Sequence, residues 1–136
     1  MDQKKILLIE DDLFIRELYE RTLGRAGYQV ITAPDGEAGL TQAKDKPDII
    51  LLDIMLPKIN GINVLKKLKI DSDTKDIPVV LLTNLGQESI VKEAFKIGAS
   101  GYLMKMHLTP YEVVSHVKDF FENPNYKMDV SNLNLE

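Results

Sequence analysis

Two rhythms of apolar residues alternate along the chain. The first is the short unbroken run: Lys5–Glu10 (KILLIE), Asp48–Asp53 (DIILLD) and Ile77–Thr83 (IPVVLLT), with the weaker Gln29–Ala33 (QVITA) and Gly101–Met104 (GYLM). Runs this short, rich in Ile, Val and Leu, read as strands, and continuous ones as strands buried on both faces. The second rhythm repeats every three to four residues and reads as helix. It covers Leu13–Ala26, with Ile15, Leu18, Tyr19, Thr22 and Ala26 on one face and Gly24 and Gly27 marking the end. It returns over about Asp35–Lys44, after the turn APDG. It covers Gly61–Ile70 (Ile62, Leu65, Leu68) and Gln87–Ile97 (Ile90, Val91, Ala94, Ile97). The last helix is Thr109–Glu122, with Val113, Val117 and Phe120 as its stripe, Thr109 as N-cap and Pro110 as first helical residue.

Five rounds of strand then helix, with strands too apolar to face water, predict an α/β fold: a parallel sheet covered on both faces. Right-handed crossovers leave few arrangements, and a doubly wound five-stranded sheet of order 2-1-3-4-5 fits. The periodic pattern fills one domain over residues 1–123. Residues 124–136 have no period and read as a C-terminal tail or the start of a linker.

Composition narrows the chemistry. At 136 residues, 44% hydrophobic and 28% charged, the chain has ordinary globular proportions. Its net charge of −4 gives no electrostatic case for direct binding of nucleic acid. No apolar run approaches the roughly 18 residues of a membrane span, so no membrane association is expected. The opening MDQKKILLIEDD meets three acids too early for a signal peptide. The chain has no Cys, which removes disulfides and thiol chemistry and suits a reducing, cytoplasmic location.

One residue breaks the pattern. In IILLDIMLP, Asp53 ends one of the most apolar runs of the chain. A buried unpaired carboxylate is costly, so Asp53 either faces solvent at the strand tip or is held by partners. In open α/β sheets, ligands bind at the carboxyl ends of the strands. Those ends carry Glu10, Asp11 and Asp12 after strand 1, Asp53 after strand 3, Thr83 and Asn84 after strand 4, and Lys105 after strand 5. Singly, each has a bland explanation; Asp11 or Asp12, for example, would cap the next helix. Together, the acids repel unless a cation joins them. Lys105 supplies one charge. An oxygen-only ligand set without Cys favours Mg²⁺ or Mn²⁺ over zinc. No glycine-rich phosphate loop and no Ser-His-Asp set is present. A carboxylate nucleophile, a divalent cation and two groups to grip phosphoryl oxygens suffice for phosphoryl transfer to Asp53.

The blocks ILLIEDD, LLDIMLPKINGINVL, VVLLT and GASGYLMK, in this order and spacing, resemble the response-regulator receiver domain of two-component signalling. The likeness runs from about Lys4 to Glu122 and implies the flavodoxin-like receiver fold. It implies that Asp53 is the phosphoacceptor and that Asp11, with Glu10 through water, binds the metal, joined by the backbone carbonyl of Met55. Thr83 would hydrogen-bond the phosphoryl oxygens, Lys105 would pair with them, and Tyr102 would be the aromatic switch residue that turns inward with Thr83. The phosphoryl donor would be a histidine kinase or a phosphotransfer protein. The chain would catalyse its own phosphorylation and dephosphorylation rather than turn over an external substrate. The resemblance is equally open to a stand-alone receiver or a piece of a longer regulator or hybrid kinase.

Two positions depart from the family pattern. Met106 follows Lys105 where proline, commonly after a cis bond, is usual. Asn84 follows Thr83 where a small residue is usual, and would crowd the phosphoryl pocket or add a hydrogen bond to it. Met55 and Leu85 flank the access route with Asn84. Neither of those apolar chains can orient a water, which predicts slow self-dephosphorylation. The loop from Asn84 to Ser89, given freedom by Gly86, is the candidate moving element. The surface of helix 4, strand 5 and helix 5, including Ile90, Lys92, Lys96 and His107, is the expected partner or homodimer contact. The competing expectation is a receiver-like interaction module that works without phosphorylation. A flavin carrier and an Asp-dependent phosphatase are remote: the first lacks its phosphate loop, the second has Met55 where it needs an acid.

Overall fold

The computed structural model describes residues 3–123; the expected tail at 124–136 lies outside the described residues. Five parallel strands, β1 (Lys5–Ile9), β2 (Gln29–Ala33), β3 (Ile49–Leu52), β4 (Val79–Thr83) and β5 (Gly101–Met104), form one sheet. Their order is β2-β1-β3-β4-β5, as the alternating pattern predicts. The helices are α1 (Leu13–Arg25), α2 (Gly36–Ala43), α3 (Gly61–Ile70), α4 (Glu88–Ile97) and α5 (Pro110–Glu122), with a 3₁₀ turn at Lys105–His107.

Side chains alternate across each strand and so feed two cores. Leu7, Ile9, Ile50, Leu52, Val79 and Leu81 pack with residues of α2, α3 and α4. Ile6, Leu8, Ile49, Leu51, Val80 and Leu82 pack with Tyr19 and Leu23 of α1 and Val113, Val117 and Phe120 of α5. A sheet covered on both faces explains why the central strands carry no polar alternation. Each fully buried Leu or Ile contributes about 1.5–3 kcal/mol of transfer free energy.

Helix starts follow local chemistry. Asp12, not Asp11, caps α1 by accepting from the Ile15 N–H, and Asp35 caps α2 through Ala38 N–H. Thr109 and Glu112 form a reciprocal capping box on α5, with Pro110 in the first turn.

Some local expectations need correction. Gly24 does not end α1: the helix continues to Arg25, and Gly27, at φ +102°, makes the exit. Leu23 therefore joins the core, whereas Ala26, at the C-cap, is exposed. In α3 the buried stripe includes Val64 beside Leu65 and Leu68. The fourth strand starts at Val79 rather than Ile77, after Pro78, which has no N–H to offer a ladder. Among the described residues no helix is long and apolar enough to cross a membrane.

Candidate functional site

The loops after β1, β3, β4 and β5 all leave from one edge of the sheet, and β1 and β3 are the neighbours between which the strand order reverses. Asp53 stands at this switch point. Its N–H still bonds to the Ile9 carbonyl at 3.1 Å, so the residue is fixed by the sheet although the strand proper has ended. It is not solvent-facing: only 5% of it is exposed. Of the two ways to place this carboxylate, the structure uses the second.

Both Asp53 oxygens have partners. Oδ1 accepts from the Thr83 hydroxyl at 2.7 Å and the Met55 N–H at 3.0 Å. Oδ2 accepts from the Lys105 ammonium at 2.9 Å. Glu10 is also buried; its Oε1 accepts from Lys105 and its Oε2 from the Asp12 N–H at 3.0 Å. Lys105 therefore spans two buried carboxylates from a third strand end. Burial works to lower the Lys105 amine, but the hydrogen bonds and charges of Glu10 and Asp53 outweigh it and hold it above the usual lysine range. Burial raises the Glu10 carboxyl, opposed by Lys105.

Asp11 is exposed, yet it belongs to the same cluster. Carboxylate oxygens of Glu10, Asp11 and Asp53 lie within 4.8 Å of one another. Three oxygen donors so close, with only one lysine between them, form a set that suits a small hard cation such as Mg²⁺.

The glycine of PKINGINVL has a local reason to be there. A Cβ on Gly61 would run into the Asp53 carbonyl oxygen and Ile54 Cα. The start of α3 thus packs directly on the backbone that carries Asp53, and the Gly61 N–H bonds to the Ile54 carbonyl at 2.8 Å.

Thr83 is fully buried and links the site to the β4–α4 loop. While donating to Asp53, its hydroxyl accepts from the Leu85 N–H at 3.2 Å. The Leu85 carbonyl in turn accepts from the Tyr102 hydroxyl at 3.3 Å. Tyr102 is buried, its ring turned inward, and burial raises its phenol. Gly86 does not occupy the positive-φ region. Its lack of a side chain makes room instead: a Cβ there would lie 2.5 Å from Met104 Cε and 3.5 Å from the Tyr102 hydroxyl oxygen.

No cis peptide bond occurs among the described residues, so the Lys105–Met106 bond is trans. Asn84 is exposed, and its Oδ1 accepts from the Met106 N–H at 2.8 Å. Met55 is 57% exposed, while Leu85 is half-buried. Ile90 is half-buried and packs against the core, lining a groove with Ile54, Ile62 and Leu85. Lys92 pairs with Glu88 within α4 at 2.9 Å. Lys96 and His107 are exposed.

Two residues with a part in the geometry are given no role by the sequence pattern. Arg16 donates from its guanidinium to the carbonyls of Glu10 and Asp11 at 2.9 and 3.3 Å, bracing the acid loop against α1. Lys58, at φ +65°, pairs with Asp35 at 3.3 Å and ties the β3–α3 loop to the start of α2. A cation one helical turn beyond a row of acids is the only hint of the first; the second depends wholly on tertiary structure.

The family model for the response regulator receiver domain matches residues 6–118. The DNA-binding dual master transcriptional regulator RpaA of Synechocystis is 44% identical over 110 residues, 80% of this chain and 44% of that protein. The chain spans about half the length of the curated relatives it matches. The chemotaxis response regulator CheY4 of Vibrio cholerae superposes with a TM-score of 0.80 at 29% identity, covering 87% of this chain and 98% of that one. A chain of the CheX–CheY–BeF3–Mg²⁺ complex of Borrelia burgdorferi gives 0.78 at 29% identity, covering 87% and 89%. With its sheet order, its strand-end carboxylates and a family match over most of its length, this chain belongs to the response regulator receiver domains.

Proposed function

We propose that Asp53 accepts a phosphoryl group from a phosphohistidine on a histidine kinase or phosphotransfer protein. An Asp53 oxygen forms the new bond to phosphorus as the phosphorus–nitrogen bond breaks. The electron pair leaves with the imidazole, which takes a proton from water. Lys105 meets the negative charge on the phosphoryl oxygens and the Thr83 hydroxyl donates to one of them, both from positions already within reach of Asp53. Glu10, Asp11 and Asp53, with the Met55 carbonyl, would hold Mg²⁺ or Mn²⁺. That ion, when bound, supplies the positive charge that lets an anionic donor approach three acids.

One observation carries the reading: three carboxylates gathered within 4.8 Å at the sheet's switch point, one of them bonded to both a hydroxyl and an ammonium. The Borrelia CheY complex, described with BeF3 and Mg²⁺, supports the choice of metal. The β4–α4 loop, Tyr102 and the surface of α4, β5 and α5, including Ile90, Lys92, Lys96 and His107, would pass the change to a partner or a second copy.

The test is incubation with phosphoramidate and Mg²⁺, followed by intact mass. The wild type should gain one phosphoryl group, and neither Asp53→Asn nor the wild type in EDTA should. A wild type that gains nothing at any Mg²⁺ concentration overturns the reading in favour of a phosphorylation-independent interaction module.

A further inference from the structure

The two positions at which the sequence departs from the family pattern meet in space. β4 and β5 pair in register up to Thr83 and Met104, where the ladder ends. The next residues, Asn84 and Lys105, leave the sheet together. Lys105 opens the 3₁₀ turn, and the first N–H groups of such a turn have no partner within it. Met104, at the cap position, offers no side-chain hydrogen bond. The Met106 N–H is taken instead by Asn84 Oδ1, at 2.8 Å, across 22 residues of sequence. The turn is also closed by Leu108 N–H to the Lys105 carbonyl at 3.3 Å.

Lys105 depends on where this turn sits. Its ammonium must reach Glu10 just after β1 and Asp53 just after β3, across the β4 strand end, through a flexible four-carbon stem. The stem can deliver the charge reproducibly only if its Cα is held. The sheet no longer holds it after Met104; the Asn84 side chain bonds to the very next residue.

We propose that Asn84 is a positioning residue for Lys105: by accepting from the Met106 N–H, it extends the β4–β5 attachment one step past the ladder and fixes the turn from which the ammonium reaches the two acids. Asn84 acts through the backbone, its Oδ1 being engaged by the Met106 N–H. The inference rests on the phosphoacceptor reading for its kinetic consequence, but the placement of Lys105 can be read without phosphate.

The experiment compares the wild type, Asn84→Ala and Asn84→Asp, the last keeping an acceptor oxygen at the same place. The first readout is the ¹⁵Nζ resonance of Lys105 with no donor added. It should be distinct in the wild type and Asn84→Asp, and should move toward a solvated lysine in Asn84→Ala. Met106 amide exchange should quicken on the order of fivefold in Asn84→Ala and recover in Asn84→Asp. The second readout is the phosphorylation rate with phosphoramidate at saturating Mg²⁺. Asn84→Ala should slow it about fivefold, and should slow it no further in a Lys105→Met background, because coupled residues are not additive. An unchanged Lys105 resonance in Asn84→Ala overturns the proposal, as does equal slowing in both backgrounds. A wild type that shows the Lys105 resonance but takes no phosphoryl group overturns the phosphoacceptor reading and leaves the positioning role supported.

Discussion

At the scale of single residues, the site is a problem in charge compensation. Glu10 and Asp53 are buried with one ammonium between them, and Asp11 adds a third carboxylate at the rim. Such a cluster is tolerable because every oxygen of the buried pair accepts a hydrogen bond. Its negative excess suits it to the divalent cation proposed for the site. Adding Mg²⁺ at about ten times its dissociation constant should therefore stabilise the fold by about 1.4 kcal/mol. Thermal unfolding with and without EDTA measures this, and Asp11→Ala should remove most of the shift. On the phosphoacceptor reading, hydrolysis depends on the neighbours of Asp53. Met55 and Leu85 present no group that can take a proton from an attacking water. The double change Met55→Asn and Leu85→Glu should shorten the acyl-phosphate lifetime about tenfold, a small share of what a well-placed proton acceptor contributes; the decay of phosphorylated protein after donor removal reads it. The acids, Thr83 and Lys105 were legible in the sequence because each ends a strand, and strand ends in such a sheet share one edge. The Asn84–Met106 bond and the Arg16 brace were not. They join a side chain to a backbone group in a different loop, and no periodicity records that.

At the scale of elements, hydrophobic pattern and capping chemistry set the fold with few errors, and those errors have a common cause. Periodicity says which residues share a face but not where the chain leaves the helix. Ala26 lies on the right face yet past the last helical residue, whereas Leu23, one turn beyond Tyr19, reaches the core. Gly24 resembles a stop only while the tertiary exit at Gly27 is unknown. Caps were more readable, because their chemistry is local. Asp35 shows a consequence. Its carboxylate accepts from the Ala38 N–H and, with Lys58 beside it, is held below the usual carboxylate range. A lowered folded pKa means the stabilisation is fully present above the unfolded value of about 4. It is lost as pH falls through the folded value. Urea unfolding of wild type and Asp35→Ala should differ clearly at pH 7, and the difference should shrink as pH falls below about 4. Gly61 makes the complementary point about close packing. Gly61→Ala forces α3 away from the Asp53 backbone, and overpacking of this kind costs about 1–3 kcal/mol. The same variant should phosphorylate more slowly than its lost stability alone would explain, since the displaced peptide carries the proposed nucleophile.

At the scale of the whole molecule, the proposed phosphoacceptor and the proposed output surface are joined by a short run of hydrogen bonds. Asp53 accepts from Thr83, Thr83 accepts from Leu85 N–H, and the Leu85 carbonyl accepts from Tyr102. The chain crosses from β3 through the end of β4 to β5 and passes under the β4–α4 loop. Any movement of Thr83 toward a phosphoryl oxygen must pull on that loop, because the Thr83 hydroxyl cannot keep its Asp53 and Leu85 geometry unchanged while it turns. At Gly86 the loop packs closely over Met104 and Tyr102, where a Cβ would lie 2.5 Å from Met104 Cε, so a shift of the loop is felt by β5. Tyr102→Phe separates the ring from the hydrogen bond: it keeps the buried aromatic surface and deletes only the hydroxyl. Its stability cost should be about 1 kcal/mol or less. Amide exchange of the wild type should change on phosphorylation at residues 84–90 and 101–107. In Tyr102→Phe the change at 84–90 should persist, since Thr83 and Leu85 are intact, and the change at 101–107 should shrink. If both segments respond as in the wild type, the hydroxyl carries nothing and coupling runs through packing of the ring; if neither responds, the ring's anchor is needed to hold the loop itself. The three outcomes assign the transmission step to a bond, to a surface or to the loop, and only the first agrees with the hydrogen-bonded route.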